Sequence, residues 1–169
     1  MTEPIKVLAD ILQAELGLAD GMVMVINQKW IIPNTGNLFI ALSYKGPGKV
    51  LGSVNTLEDV AGGAGSNEIQ EVSMLHEVQI DIMSYGDEAR TRKEEIAMAL
   101  NSQYSARAQA ENSMRIGRQP SPFMDASSLE ATGRLNRFIT NISIGAVHRK
   151  VKTAEYYDKF AAPEVITNE

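Results

Sequence analysis

The stretch "QIDIMSYGDEARTRKEEIAMAL", residues 79–100, changes its hydrophobic period at Gly86. Before Gly86 the apolar residues Ile80 and Ile82 come at every second position, which is the period of a half-buried strand. From Ala89 onward they come at every third or fourth position, which is the period of an amphipathic helix. The sequence therefore predicts a strand that enters a helix through a short corner at Gly86.

The corner residues favour a structural interpretation over a chemical one. "SYGDE" is not the Gly-x-Ser-x-Gly elbow of a hydrolase, and Ser84 has no obvious histidine partner. We expect Gly86 to supply permissive backbone torsions and Asp87 to cap the helix. The other glycine-rich run, "AGGAGSNE", lacks the Gly-Lys-Ser/Thr ending of a phosphate-binding loop, so residues 56–67 are predicted to form a mobile loop.

Further strands flank this corner on both sides. Three short apolar runs that begin at Met22, Leu38 and Val50 predict three antiparallel strands joined by short turns. Residues 68–85 and 135–152 predict two strands that are longer than a small sheet requires. In order, the predicted elements are a helix ending at Gly17, the three short strands, the loop, the first long strand and a helix to about Ala110. A short strand near Met114, the second long strand and a C-terminal segment follow.

This order predicts an α+β fold, with a mostly antiparallel sheet, helices packed on one face and extended strands. We expect one domain over residues 1–153 and a C-terminal arm over residues 154–169, called the tail below. On the first long strand, Ile80 and its alternating apolar neighbours are expected to face the core. Gln79 and Asp81 are expected to face water or a polar partner.

Composition excludes several classes of function. The chain has 169 residues, no cysteine and two histidines, so disulfides, thiolate catalysis and cysteine-rich metal centres are not expected. The N-terminus lacks the pattern of a secretory signal, and no run approaches the ~20 apolar residues that span a bilayer. We expect no cofactor, no metal and no membrane. The net charge of −5 also makes general binding to nucleic acid unfavourable, unless a basic patch is local.

Two groups of basic residues are candidates for such a patch. The run "ARTRKEE" places three basic residues before two acidic ones, which is typical of a solvated helix face with intrahelical ion pairs. Arg115 and Arg118, together with residues 148–152, offer a second basic cluster. Either group has the charge to contact DNA phosphates, but a solvated charged strand edge explains residues 148–152 equally well.

Three segments resemble the tailed-phage neck terminator family, the tail terminators that act at the head–tail junction. They are "ELGLADGMVMVINQKWIIPNTGNLFIAL", "EVQIDIMSYGDEARTRKEEIAMAL" and "RLNRFITNISI...YYDKF", and together they span nearly the whole chain. The resemblance rests on this pattern of segments and not on a short invariant motif. It implies a structural virion protein without catalytic residues, located in the neck between head and tail.

The resemblance also implies partners. The protein would form a ring, commonly a hexamer, between portal-adaptor neck proteins and the tail tube or tail sheath. DNA would pass through the lumen, where acidic residues would repel phosphates and prevent the genome from sticking. We expect the subunit interfaces to involve the tail, the charged strand ends and the basic clusters; the candidate residues are Tyr156, Tyr157, Phe160, Glu58, Asp59, Arg115, Arg118, Arg149 and Lys150.

Two other classes of function stay open at this point. One is a small accessory enzyme that binds a ligand beside Gly86, with Asp81 or Asp87 as a perturbed carboxylate. The other is a cytosolic adaptor that binds protein partners and never enters a virion. A pocket with convergent polar groups would favour the enzyme, and absence from purified particles would favour the adaptor.

Overall fold

A computed structural model describes residues 3–26, 35–59, 66–130 and 133–154. Within these ranges the chain forms four helices and one eight-stranded sheet, which confirms the predicted α+β class. The helices are α1 (Pro4–Leu16), α2 (Glu88–Arg92), α3 (Glu95–Leu100) and α4 (Gln103–Glu111). The strands are β1 (Val23–Val25), β2 (Phe39–Tyr44), β3 (Lys49–Asp59), β4 (Ser66–Ser84), β5 (Met114–Ile116), β6 (Met124–Asp125), β7 (Ser128–Glu130) and β8 (Gly133–Ala154).

The two long strands form the centre of the sheet. β4 has 19 residues and β8 has 22, and they pair antiparallel without a register shift from Ser66↔Ala154 to Ser84↔Asn136. Both predicted long strands are therefore confirmed. Along its outer edge, β8 pairs in turn with β7, β6 and β5.

The first three strands do not form the predicted antiparallel set. β1 pairs parallel with β2, and both β2 and β3 pair with β4 instead of with each other. β2 occupies residues 78–83 of β4 and β3 occupies residues 66–75, so the two lie end to end along one edge. The prediction was wrong because β4 is long enough to offer that edge to two successive strands, whereas a short turn normally pairs its own flanking strands.

The helices pack on one face of the sheet. Val78, Ile80 and Ile82 are fully buried on that face, in one apolar cluster with residues of α1, α2 and α3. A smaller cluster on the opposite face joins Phe39 to Met83. The predicted facing of the central strand is thus confirmed, since Asp81 lies on the face away from the helices and pairs there with Arg137.

The corner at Gly86 is a structural junction, but its residues act differently from the prediction. The Ser84 hydroxyl donates to the Gly86 carbonyl at 2.6 Å and accepts from the Ala89 amide at 3.0 Å. Ser84 therefore satisfies the start of α2, whereas Asp87 makes no side-chain capping bond. Gly86 also lacks the positive φ that would require permissive torsions. Glycine fits there because a Cβ would come within 2.8 Å of the Gly36 carbonyl oxygen.

The predicted single helix after Gly86 is divided into α2, α3 and α4. Ser102 adopts an extended conformation and its hydroxyl accepts from the Ser105 amide at 2.9 Å, so it ends one helix and caps the next. This break changes which face is buried. Tyr104, on α4, is 47% exposed, whereas Ala99, on α3, is buried.

Candidate functional site

The distal halves of the long strands form a three-stranded extension of the sheet, which we call the β-arm. It comprises residues 52–59 of β3, residues 66–73 of β4 and residues 147–154 of β8. The predicted loop over residues 56–67 was therefore too long, because residues 56–59 belong to β3 and β4 begins at Ser66. Residues 60–65, which hold the glycines of that prediction, lie outside the described part of the chain.

Exposed apolar side chains occur on both outer strands of the β-arm. On β3, Val54 is 58% exposed and Leu57 is 70% exposed, and on β8, Val151 is 54% exposed. Between the outer strands, Ile69 is only 3% exposed and pairs with Thr56 on one side and Val151 on the other. The β-arm thus buries its central apolar residue and leaves those at its margins in solvent. Leu57 lies on the opposite face from Val54 and Val151, so both faces of the β-arm carry exposed apolar groups at their margins.

One face of the β-arm carries an ion-pair network. Arg149 Nε lies 3.5 Å from Glu71 Oε1, and Arg149 Nη2 lies 4.0 Å from Glu58 Oε2. The structure therefore brings two predicted interface residues, Glu58 and Arg149, together across β4. All three side chains are about half exposed, so the pairs contribute little to stability and keep their charges accessible to a partner.

The opposite face carries Leu57 and is otherwise lined mainly by polar side chains. Glu68 Oε1 accepts from Asn55 Nδ2 at 3.2 Å and from Gln70 Nε2 at 2.8 Å. The register places Lys150 and Lys152 on this same face, next to Gln70 and Glu68 respectively. Lys150, another predicted interface residue, therefore lies on the β-arm but on the face opposite to Arg149.

The charges of the two outer strands are opposite. From residue 53 to its end, β3 carries two acidic residues, Glu58 and Asp59, and no basic residue. From residue 147 to its end, β8 carries Arg149, Lys150 and Lys152 and no acidic residue. Four of the predicted interface residues therefore lie on the β-arm, the acidic ones on one margin and the basic ones on the other.

The remaining predicted interface residues lie elsewhere. Arg115 pairs with Gly145, four positions before Arg149 along β8, and together with Arg118 it lines a polar cavity of about 310 Å³ beside α4. Asn101 Nδ2 donates to the Arg118 carbonyl at 3.1 Å and holds that segment against the helices. The single basic cluster predicted from these arginines and residues 148–152 is thus two separate groups. Tyr156, Tyr157 and Phe160 lie outside the described residues.

A second cavity, at the base of the β-arm, was not predicted. It has a volume of about 390 Å³ and its apolar walls include Leu51, Met74, Met114 and Val147. Leu51 lies where the register of β3 shifts between Val50 and Gly52. No sequence pattern predicts this cavity, since its walls come from four separate segments. The strand predicted from Val50 was also expected to stop before Thr56, whereas β3 continues to Asp59.

The structure assigns structural contacts to the side chains weighed for chemistry. Ser84 is bonded within the corner, and the Asp81 carboxylate pairs with Arg137 and accepts from Gln79. One of the two histidines, His76, also makes a structural contact: its ring lies 5.2 Å from the Tyr44 ring, in a tilted arrangement. Among residues 3–26, 35–59, 66–130 and 133–154, no three metal-ligating side chains are grouped closely enough to hold an ion. None of the helices in this part of the chain is long and apolar enough to span a membrane.

Comparisons with protein family models and with curated proteins found no match, so functional inference rests mainly on the geometry of the β-arm. The resemblance to neck terminators therefore remains a prediction from the three segments quoted above. The surface that any function must account for is the β-arm, with its exposed apolar margins and its opposite charges.

Proposed function

We propose that this chain is a structural, non-enzymatic subunit of a ring in the neck of a tailed bacteriophage. The observation that supports this proposal most directly is the β-arm, a protruding sheet with exposed apolar residues and opposite charges at its two margins. Such an arm contributes little to the core of its own subunit. Its features are those of a surface that is buried when copies assemble.

The length of the long strands is part of this argument. β4 pairs with β2 over residues 78–83 and packs there against the helices, so this half accounts for the core. Its other half serves only the β-arm. A long sheet edge with exposed apolar groups is a liability in an isolated protein, because it invites pairing with other chains. In a ring, the same edge has a defined partner.

The partners follow from the resemblance to neck terminators. The ring, commonly a hexamer, joins the portal-adaptor complex on one side to the tail tube or tail sheath on the other. It lets DNA pass through its lumen without specific binding, and it resides in the virion neck. Closed symmetry turns one modest contact into many cooperating contacts, which is how a small subunit makes a stable joint.

The alternative of a ligand-binding enzyme at Gly86 gains no support from the geometry of that corner. The Ser84 hydroxyl is already hydrogen-bonded on both sides, and Asp81 pairs with Arg137 on the far face of the sheet. None of the cavities described above lies at the corner. The apolar cavity at the base of the β-arm has few polar groups to orient a substrate.

The proposal is tested by the mass of the purified protein and by its place in virus particles. Native mass spectrometry is expected to give a discrete multiple of the 18.5 kDa subunit, and labelling with specific antibodies is expected to mark the head–tail junction of tailed particles. A stable monomer that is missing from purified particles would overturn the proposal and favour the adaptor. A discrete multimer located elsewhere in the particle would overturn its neck assignment.

A further inference from the structure

We propose that the β-arms of neighbouring subunits join edge to edge, with β8 of one copy pairing in parallel with β3 of the next. The ring would then contain one continuous sheet built from all the β-arms. This inference rests on the proposed function, because it specifies the contact by which the proposed ring is closed. It commits to one occupant of the β-arm edges, which is a second copy of this chain.

The strand directions require the parallel arrangement. Within one subunit, β3 and β8 both run antiparallel to β4, so they run in the same direction as each other. Rotation about a ring axis that runs along the β-arm leaves the strand direction unchanged from one copy to the next. A head-to-tail contact between the β8 margin and the β3 margin therefore pairs two parallel strands. It also keeps the same face of every β-arm toward the axis.

Both edges are placed to accept a neighbour. In the described part of the chain, β3 pairs along one side only, with β4. The outer edge of β8 is covered as far as Val147, whose amide donates to the Ser113 carbonyl at 3.1 Å. From Arg149 to Thr153 the β8 residues are exposed, as are residues 52–58 of β3. Exposed backbone edges of similar length are the groups that strand addition satisfies.

Charge determines which edges meet. Pairing β8 with β8 would gather the basic residues of both copies in one strand pair, and like charges across strands are destabilising. Pairing β8 with β3 instead places the basic margin of one subunit beside the acidic margin of the next. At level register, Asp59 of one copy pairs with Ala154 of its neighbour, and Lys152 lies two residues before Ala154 along β8.

The apolar residues support the same arrangement. Thr56, Ile69 and Val151 form one cross-strand row within a subunit, and the two outer members are exposed. In a continuous sheet, Val151 of one copy contacts Thr56 of the next, so the row extends around the ring. Side-chain pairs of this kind on neighbouring strands are the contacts that stabilise a sheet.

Cysteine cross-linking provides a direct test, because the natural chain contains no cysteine. Neighbouring strands lie about 4.8 Å apart, so β3 and β8 of one subunit, with β4 between them, are separated by about 9.6 Å. A disulfide requires Cα atoms closer than about 7 Å. A bond between a cysteine in β3 and one in β8 therefore reports a contact between two subunits.

The main variant combines Thr56→Cys with Val151→Cys in the full-length chain. After mild oxidation, a denaturing gel without reductant is expected to show a ladder with steps of 18.5 kDa that collapses when reductant is added. Two further pairs, Thr56→Cys with Arg149→Cys and Thr56→Cys with Thr153→Cys, sample registers shifted by two residues on the same face. The pair with the most efficient cross-link defines the register.

The controls separate this contact from others. The pair Thr56→Cys with Leu129→Cys places the second cysteine at a site that is 89% exposed and outside the β-arm, and no ladder is expected. Thr56→Cys alone would give only dimers if β3 pairs with β3, and Val151→Cys alone would do so if β8 pairs with β8. Either dimer, formed as efficiently as the ladder, would overturn the proposed pairing.

The mass of each variant before oxidation separates failure of the inference from failure of the proposed function. If the variants retain the multimeric mass of the natural protein but none of the three pairs gives a ladder, edge pairing is wrong and the ring stands. If the natural protein itself is monomeric under all conditions and absent from particles, the proposed ring is wrong and the inference falls with it.

Discussion

Arg137 Nη2 lies 3.1 Å from Asp81 Oδ1, across the two central strands and on the face of the sheet opposite the helices. Asp81 is only 2% exposed, and its carboxylate also accepts from Gln79 Nε2 at 3.1 Å. A buried carboxylate is costly without partners, so Arg137 and Gln79 together make this position tolerable. The pair joins residues 56 positions apart in sequence and fixes the facing of the sheet centre.

Replacing Arg137 with methionine is expected to lower the free energy of unfolding by about 2 kcal/mol. The substitution leaves the buried Asp81 carboxylate without its cation, and the expected loss stays moderate because Gln79 remains and Arg137 is partly exposed. Urea denaturation measures the change. The matched control is Lys6→Met, which removes an exposed ion pair to Glu3 and should cost less than about 0.5 kcal/mol. Equal losses in the two variants would contradict the role of Arg137.

Gly86→Ala is expected to destabilise the protein by about 1–3 kcal/mol, because the new methyl group would lie 2.8 Å from the Gly36 carbonyl oxygen. The control is Gly46→Ala, where a Cβ would meet no atom within 4 Å and the effect should stay within about 1 kcal/mol. Thermal unfolding of the two variants distinguishes them. If Gly86→Ala melts like the natural protein, close packing of the corner on Gly36 is not what requires glycine there.

The sequence predicts local periods well and long-range pairing poorly, and particular residues show why. Ile80 and Ile82 alternate along their strand, so their burial on the helix side was predictable. The contact between Gly86 and Gly36, and the pairing of β3 with β4, depend on where distant segments meet, and no local pattern encodes either. Four predicted interface residues were brought together on the β-arm, because charged strand ends are visible in sequence. The cavity at its base was missed, since its walls come from four segments.

Ile142→Asp is expected to unfold the subunit, and Ile80→Asp should do the same. Both isoleucines belong to the main apolar cluster, at 4% and 0% exposure, and a buried unpaired charge there costs more than about 4 kcal/mol. Circular dichroism and denaturant titration check this. Leu129→Asp, at a site that is 89% exposed, should change the free energy of unfolding by no more than about 0.5 kcal/mol. Normal melting of either isoleucine variant would refute the assigned strand facing.

Ionisation of Tyr44 is expected to lower the free energy of unfolding at alkaline pH. Burial raises its pKa above the ordinary value, and the negative charge of Glu3 adds to this, whereas a hydrogen bond with the Ile5 backbone opposes it. The neutral phenol is therefore favoured in the folded state. The neutral phenol makes its full contribution to the free energy of unfolding below a pH of about 10, the ordinary pKa of tyrosine in the unfolded chain. This contribution is lost as the pH rises through the higher pKa of Tyr44 in the folded protein.

Denaturant unfolding at pH 8 and pH 11 tests this prediction. Tyr44→Phe cannot ionise at this position, so its stability relative to the natural protein should improve at pH 11. The control is Leu129→Ala, at a site that is 89% exposed and carries no ionisable group, so its relative stability should be the same at both pH values. A Tyr44→Phe variant that behaves like this control would show that ionisation of Tyr44 is not coupled to folding.

Deleting the tail, residues 154–169, is expected to weaken assembly more than it weakens folding of the subunit. β8 ends at Ala154, at the tip of the β-arm, and the chain that follows carries Tyr156, Tyr157 and Phe160. The main apolar cluster lies in the other half of the sheet, so the melting temperature of the subunit should change little. Aromatic side chains often provide the anchors of an interface, so the ring should dissociate at higher protein concentration than the natural ring does.

Native mass spectrometry over a dilution series measures this shift. A matched variant with Tyr156, Tyr157 and Phe160 all changed to serine keeps the chain length and should show the same shift. Unchanged dissociation in both variants would exclude the tail as an interface and leave assembly to the β-arm edges.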